Sequence, residues 1–259
     1  MDLQLKDKVA IVGGGSEGIG YGIAHMLAAE GVRVAIMARR VAKLNPAAEQ
    51  IRKETGAEVL AIQGDCRRDE DIKRVVSTVV EKYGTIDIVV NNDGAPPLGA
   101  LDTFDDVAWA QAIERNLMYV VRMSREAVPH MQKNGGSILN IISRVAIQPR
   151  VNFGLSTASW GGVIGYAKTL SMEIGKYGIN VNTILSGLIE TPRLHKVVLT
   201  GDKEAAEAER VRRTSQIPIG RIGIPEDIAC LVALLVSPRG RYINGTSIPV
   251  DGGSLAAVR

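Results

Sequence analysis

A run of β-formers, Val9-Ala10-Ile11-Val12, leads into Gly14-x-x-x-Gly18-x-Gly20, and apolar residues at helical spacing follow (Ile19, Ile23, Met26, Leu27). Strand, tight turn and helix in that order suit a dinucleotide pyrophosphate. Bare glycine backbone lets the chain approach the phosphates, and the helix N-terminus offers unpaired N–H groups with a partial positive charge. The spacing differs from G-x-G-x-x-G, and a plain strand–helix turn is the simpler alternative. Other groups able to do chemistry lie further along. Ser143 ends a strand-like run on a hydroxyl, and Arg144 beside it offers a guanidinium to a developing oxyanion. His195, in the charged stretch of the C-terminal third, offers an imidazole that could reach a bound substrate.

These groups need a scaffold. Strand-like and helix-like runs alternate along the chain. Strands are expected at Val32–Met37, Ala57–Ile62, Ile86–Val90, Gly136–Ser143, Gly178–Leu185 and Thr246–Val250, after the opening one. Helices are expected at Lys43–Thr55, across Ile72, Val75, Val76, Val79 and Val80, as one long helix from Asp105 to Met131, at Ser156–Lys176 and at Pro225–Leu235. Such alternation predicts an α/β fold: a single-domain Rossmann-type doubly wound parallel sheet of seven strands with helices on both faces. A dinucleotide lies across the carboxyl ends of its strands, at the switch point. The charged stretch 193–216 is expected to form a helical lid on one domain spanning 1–259.

After the second strand, an acid would accept the 2′-hydroxyl of NAD and repel a 2′-phosphate. This chain has Arg39 there, a planar fork suited to phosphate, so NADP(H) is favoured over NAD(H). Glu17 counts against that choice if its charge faces the same phosphate. Asp65 either accepts from the adenine amino group or caps the following helix. Asn116 falls inside the long helix, where a buried amide needs a hydrogen-bond partner.

Composition bounds the rest. A chain of 259 residues with 46% hydrophobic content suits a globular protein. No apolar run is long enough to span a bilayer, and the first residues lack signal-peptide character, so a cytoplasmic protein is expected. Cys66 and Cys230 stand far apart in no metal-like spacing and are expected to be reduced thiols. A net charge of +3 without a basic stripe gives no support for nucleic-acid binding.

With these pieces in order, the chain resembles the short-chain dehydrogenase/reductase family, most closely its β-ketoacyl carrier-protein reductase-like branch. The resemblance covers essentially the whole length. It is carried by the glycine turn, Asn91-Asn92-Asp93-Gly94, Asn116, Ser143 and the ending Asn244-Gly245-Thr246…Val250-Asp251-Gly252-Gly253. It implies a nicotinamide cofactor held along Gly14, Ser16, Glu17, Gly18, Ile19 and Gly20, then Arg39, Asp65, Cys66, Asn92, Gly94, Gly187, Ile189 and Thr191. It also implies a small-molecule substrate, 3-oxoacyl or ketone-like, and a homotetramer.

The chain departs from the family pattern. Gly13 stands where the family usually has Thr, Asp93 where it has Ala, and Ser186 where it has Pro. Thirteen positions after the Ser, the family has a Tyr that protonates the substrate oxygen, and four further on a Lys that lowers its pKa. Those positions here are Ser156 and Trp160, and no Tyr-x-x-x-Lys occurs elsewhere. An aliphatic hydroxyl is a far weaker acid than a phenol, and an indole carries no charge. The candidate catalytic set is therefore Ser143, Asn116, Ser156, Trp160, Arg144 and Asp93, with His195 in reach from the lid. Plainer alternatives are a solvated Arg144, a turn residue at Asp93, a surface His195 and a packed Trp160. An atypical NADP(H)-dependent oxidoreductase is the leading expectation. A non-redox enzyme (isomerase, lyase or cyclase) on the same scaffold and an inactive nucleotide-binding protein are the alternatives.

Overall fold

The computed structural model describes residues 1–256. Seven strands form one sheet in the order β3-β2-β1-β4-β5-β6-β7, every neighbouring pair parallel. They are β1 (Val9–Gly13), β2 (Arg33–Ala38), β3 (Val59–Gln63), β4 (Ile88–Asn91), β5 (Gly136–Ser143), β6 (Ile179–Ser186) and β7 (Ser247–Val250). The expected fold class is found, with strand limits moved by a residue or two. Parallel neighbours need crossovers, and helices supply them. The chain reverses direction across the sheet between β1 and β4, which opens a crevice at their carboxyl ends.

Successive strand residues point to opposite faces, and the core divides accordingly. Ala10 and Val12 pack with α1 (Gly18–Ala29), α2 (Val41–Thr55) and α9 (Pro225–Val236) through Ile23, Leu27, Leu44, Ile51, Ile228 and Val232. Val9 and Ile11 face the other side. There α3 (Asp69–Tyr83), α5 (Tyr119–Met131) and α6 (Gly154–Ile174) contribute Ile72, Val75, Met123 and Ala167. In β1, β2 and β4 the residues on both faces are buried, which is why these strands read as near-continuous apolar runs.

The long helix expected from Asp105 to Met131 is interrupted. It consists of α4 (Asp106–Ile113), a π-turn (Glu114–Met118) and α5. Asn116 sits on the π-turn, a wider turn that often marks a functional position. The stretch 193–216 forms two helices, α7 (Pro192–Val197) and α8 (Lys203–Thr214). Each has a side-chain N-cap: Thr191 Oγ1 accepts from Leu194 N at 3.3 Å, and Asp202 Oδ1 from Ala205 N at 2.9 Å. No helix among the described residues is long and apolar enough to cross a membrane.

Candidate active site

The glycine turn closes tightly on the end of β4. Gly14 and Gly18 have φ of 59° and 62°, a region L side chains rarely adopt. A Cβ on Gly14 would also lie 2.7 Å from Asn92 Nδ2, which donates to Gly13 O at 3.1 Å. Gly13 has a separate reason: a Cβ there would fall 1.9 Å from Tyr119 Oη. The phenol from α5 thus fills the space a larger residue at 13 would need. Glu17, the N-cap residue of α1, makes no side-chain cap. The first amides of α1 therefore stay free for an anion.

Two cavities open above this turn. The first, about 340 Å³, is lined by Gly14, Ser16, Glu17, Gly18, Ile19, Arg39, Cys66, Asn92, Gly94 and Thr191, among others. The second, about 290 Å³, lies over β5 and β6 and is lined by Ser143, Arg144, Trp160, Gly187 and Ile189, among others. They share Ile19, Asn92, Asp93, Gly94, Thr191, Arg193 and Val197, so they form one cleft along the carboxyl ends of the strands.

The cradle fits a dinucleotide phosphate: glycine backbone where a Cβ would clash, an uncapped helix start, and Arg39 on the wall. Glu17 does not leave a bare charge there. Arg40 Nη2 donates to its Oε1 at 2.7 Å and Lys43 holds its Oε2. Burial opposes ionisation of Glu17, but these cations hold its carboxyl below the usual range. The objection to a 2′-phosphate is thereby met. Two cofactor candidates lie outside the lining. Gly20 packs on the turn itself, where a Cβ would meet Gly14 O at 2.3 Å. The Asp65 carboxylate is held by Arg67, whose Nε donates to Oδ1 at 3.0 Å. Nor does Asp65 cap α3, whose N-cap is Arg68.

In the second cavity, Ser143 Oγ accepts from Val145 N at 3.4 Å, leaving its hydroxyl proton available. Arg144 lines the cavity and is steadied by donating from Nη1 to Ser254 O at 3.0 Å. Asp93 faces the junction of the cavities. Its Oδ2 accepts from Cys66 Sγ at 3.0 Å and lies 3.3 Å from Arg115 Nε. Burial, reinforced by the Asp93 charge, pushes the Cys66 thiol far up, so it stays protonated and donates.

Ser156 departs from expectation. It is 1% exposed, lines neither cavity, and its Oγ has no partner among the described residues. A short side chain at this helix position cannot reach the cleft. Trp160 does line it, with its indole also packed among Val120, Ile142, Val163 and Leu185. Asn116 is buried and satisfied: Nδ2 donates to Ser159 Oγ at 2.8 Å, and Ser159 donates to Leu155 O at 2.6 Å. His195 points away from the cleft to Glu190, which also takes Arg210 Nη1 at 2.7 Å. Ser186 lines the second cavity while donating to Ile142 O at 2.9 Å.

Sequence reasoning missed Arg115, Arg150, Arg193 and Arg213, all on the cleft walls. They arrive from separate loops and helices, so no local spacing marks them. Arg193 is held below the usual guanidinium range by burial first and then by Arg115, with Asp93 opposing.

Comparison with known proteins agrees with this fold. The family described as Enoyl-(Acyl carrier protein) reductase matches residues 14–254. The 3-oxoacyl-[acyl-carrier-protein] reductase FabG of Chlamydia muridarum is 33% identical over 254 residues, covering 98% of this chain and 99% of its own. Among solved structures, L-sorbose reductase from Gluconobacter frateurii, complexed with NADPH and L-sorbose, superposes with a TM-score of 0.96 at 32% identity, covering 100% of both chains. The 3-ketoacyl-(acyl-carrier-protein) reductase from Brucella melitensis, complexed with NADH, gives 0.87 at 29% identity, covering 97% of this chain and 99% of its own.

Proposed function

The chain belongs to the short-chain dehydrogenase/reductase family, and on that premise we propose that it is an atypical NADP(H)-dependent oxidoreductase acting on a carbonyl or hydroxyl carbon of a small 3-oxoacyl or ketone-like compound. One observation carries this reading: the phosphate cradle and Ser143 open onto one continuous cleft. The L-sorbose reductase structure, solved with NADPH, supports the cofactor choice by likeness. Arg39 supports it by chemistry, since a guanidinium makes charge-assisted, bidentate bonds to a 2′-phosphate and only a weaker neutral hydrogen bond to a 2′-hydroxyl. NAD(H) suits the site less.

When bound, the nicotinamide supplies or accepts the hydride. The chain's own residues do the rest. Ser143 donates its free hydroxyl proton in a hydrogen bond to the substrate oxygen. Arg144 stabilises negative charge developing on that oxygen. Arginine does not deprotonate at ordinary pH, so water delivers the proton that a phenol supplies in the usual arrangement. Losing a positioned general acid costs about 10²–10⁴-fold in rate. Slow turnover is expected.

The experiment is a ketone and 3-oxoacyl thioester panel followed by NADPH oxidation, with Ser143→Ala beside the unmutated protein. Turnover that falls at least about 10-fold in Ser143→Ala supports the reading. A second reading, non-redox chemistry or nucleotide binding without turnover, is favoured by the burial of Ser156 and the indole at 160. Tight NADPH binding with no turnover on any panel member would put that reading ahead.

A further inference from the structure

The second cavity has an uneven charge. Among the described residues its lining holds four arginines, Arg144, Arg150, Arg193 and Arg213, against one carboxylate, Asp93. Asp93 lies at the junction with the cofactor cavity and is taken up by Arg115 and Cys66. At the outer end, Arg150 and Arg213 line the mouth together, on both the main cavity and a shallow depression beside it that also includes Phe153. Glu209 is the acid nearest to hand. Its carboxylate is already shared by Arg212 and Arg213, each at 2.6 Å. Arg150 stacks on Phe153 with its guanidinium carbon 5.8 Å from the ring centroid and has no ion-pair partner among the described residues. Burial, and then the charges of Arg213, Arg144 and Arg212, lower its pKa, with Glu209 opposing. Gathering guanidinium groups this way works against folding unless an anion joins them. Most of the remaining walls are apolar, Ile142, Leu188 and Trp160 among them.

Building on the oxidoreductase reading above, we infer that the substrate carries an oxyanion, a carboxylate or a phosphate, bound between Arg150 and Arg213, with its carbonyl end directed past Arg144 to Ser143. The planar forks of Arg150 and Arg213 suit either oxyanion, and the apolar walls accept the carbon chain between the two ends. Arg150 comes from the loop before α6 and Arg213 from the end of α8. An anion binding both would therefore tie the 203–214 helix to the floor of the cleft.

The test uses the whole protein saturated with NADPH and titration calorimetry with matched probes. Acetoacetate is compared with methyl acetoacetate, and dihydroxyacetone phosphate with dihydroxyacetone. The charged member of at least one pair is expected to bind roughly tenfold to a hundredfold more tightly than its neutral partner. Arg150→Gln and Arg213→Gln, both folded by circular dichroism, should each remove most of that preference and leave the neutral partner unchanged. Which pair shows it identifies the oxyanion. Equal binding within both pairs, failure of both charged probes to bind at millimolar concentration, or a preference that survives both substitutions overturns the inference. Calorimetry needs no turnover. If hydride transfer itself is wrong, the preference persists while no NADPH is consumed. If only the anion site is wrong, neutral ketones are reduced and charge brings no gain.

Discussion

At the scale of single residues, the cofactor preference rests on Arg39 and the donor question on Ser156 and Trp160. Charge-assisted hydrogen bonds contribute about 1.5–3 kcal/mol. Arg39→Ala should therefore weaken NADPH binding by roughly tenfold to a hundredfold and leave NADH nearly unchanged, as read by calorimetry. Equal affinity for both nucleotides in the unmutated protein would remove that claim. Arg39 could be singled out from the sequence because it directly follows the second strand, and the structure places it on the wall of the first cavity. The depth of Ser156 was not legible. Its Oγ is sealed in the helix interface, and the indole of Trp160 stands on the cleft wall instead. Ser156→Tyr alone must push into packed side chains, a change that typically costs about 1–3 kcal/mol. Paired with Trp160→Lys, which vacates the indole volume, the phenol gains room to reach the cleft. The double variant should show NADPH oxidation on simple ketones about 10²–10⁴-fold faster than the unmutated protein. Neither single change should do so, because the two groups act as a unit. A folded, NADPH-binding double variant that stays inert would sink the missing-donor account.

At the scale of elements, the sequence pattern was informative wherever one face of an element decides its fate. Strands β1 to β6 alternate between two buried faces, and the helix carrying Ile72, Val75, Val76 and Val79 repeats at 3.6, so each could be placed within a residue or two. The π-turn at Glu114–Met118 could not, because it depends on how Asn116 meets Ser159 across two helices. Helix α9 shows what a legible signal is worth. Pro225 opens it, and Asp227 Oδ2 accepts from Ile224 N at 2.8 Å while Arg221 pairs with the same carboxylate. Because α9 packs on α1 through Gly22 and Pro225, this cap also steadies the helix that starts the phosphate cradle. Asp227→Asn should lower stability by about 1 kcal/mol at neutral pH. The Arg221 hydrogen bond holds the Asp227 carboxyl below its usual range, with burial opposing and the Ile224 amide helping. A depressed carboxylate stabilises the fold above its unfolded value of about 4 and loses that contribution as pH falls through the folded value. Thermal melts of the two proteins should therefore differ at pH 7 and converge on acidification below about pH 4. A gap that widens in acid would contradict the assignment.

At the scale of the whole molecule, the outer face of α6 is unlike that of an isolated surface helix. Gly161 and Gly165 have nothing within 4 Å of where a Cβ would lie, and Gly165 is exposed, with Ala158 beside them on the same ridge. Each glycine inside a helix costs about 1 kcal/mol relative to alanine. In a monomer that cost returns nothing. Across a two-fold axis it lets a second α6 approach closely, and Met172, 70% exposed further along the helix, extends the contact. The edge strand β7 has one unpaired side and is preceded by the fully exposed Tyr242, so it offers a second face. The homotetramer that the family resemblance implies would use both faces. The two assembly states predict opposite outcomes for one substitution. In a monomer, Gly165→Leu replaces a poor helix former with a good one on an open surface, so it should raise the melting temperature and leave the mass unchanged. In a tetramer paired through α6, the leucine side chain enters the contact. Light scattering at micromolar concentration should then show dissociation to dimers held by the β7 face, with a lower melting temperature. Because α6 also carries Trp160 and Ser159, dissociation should cost turnover as well as assembly. A monomeric unmutated protein, or a Gly165→Leu variant that stays tetrameric and gains stability, would rule out pairing through this face.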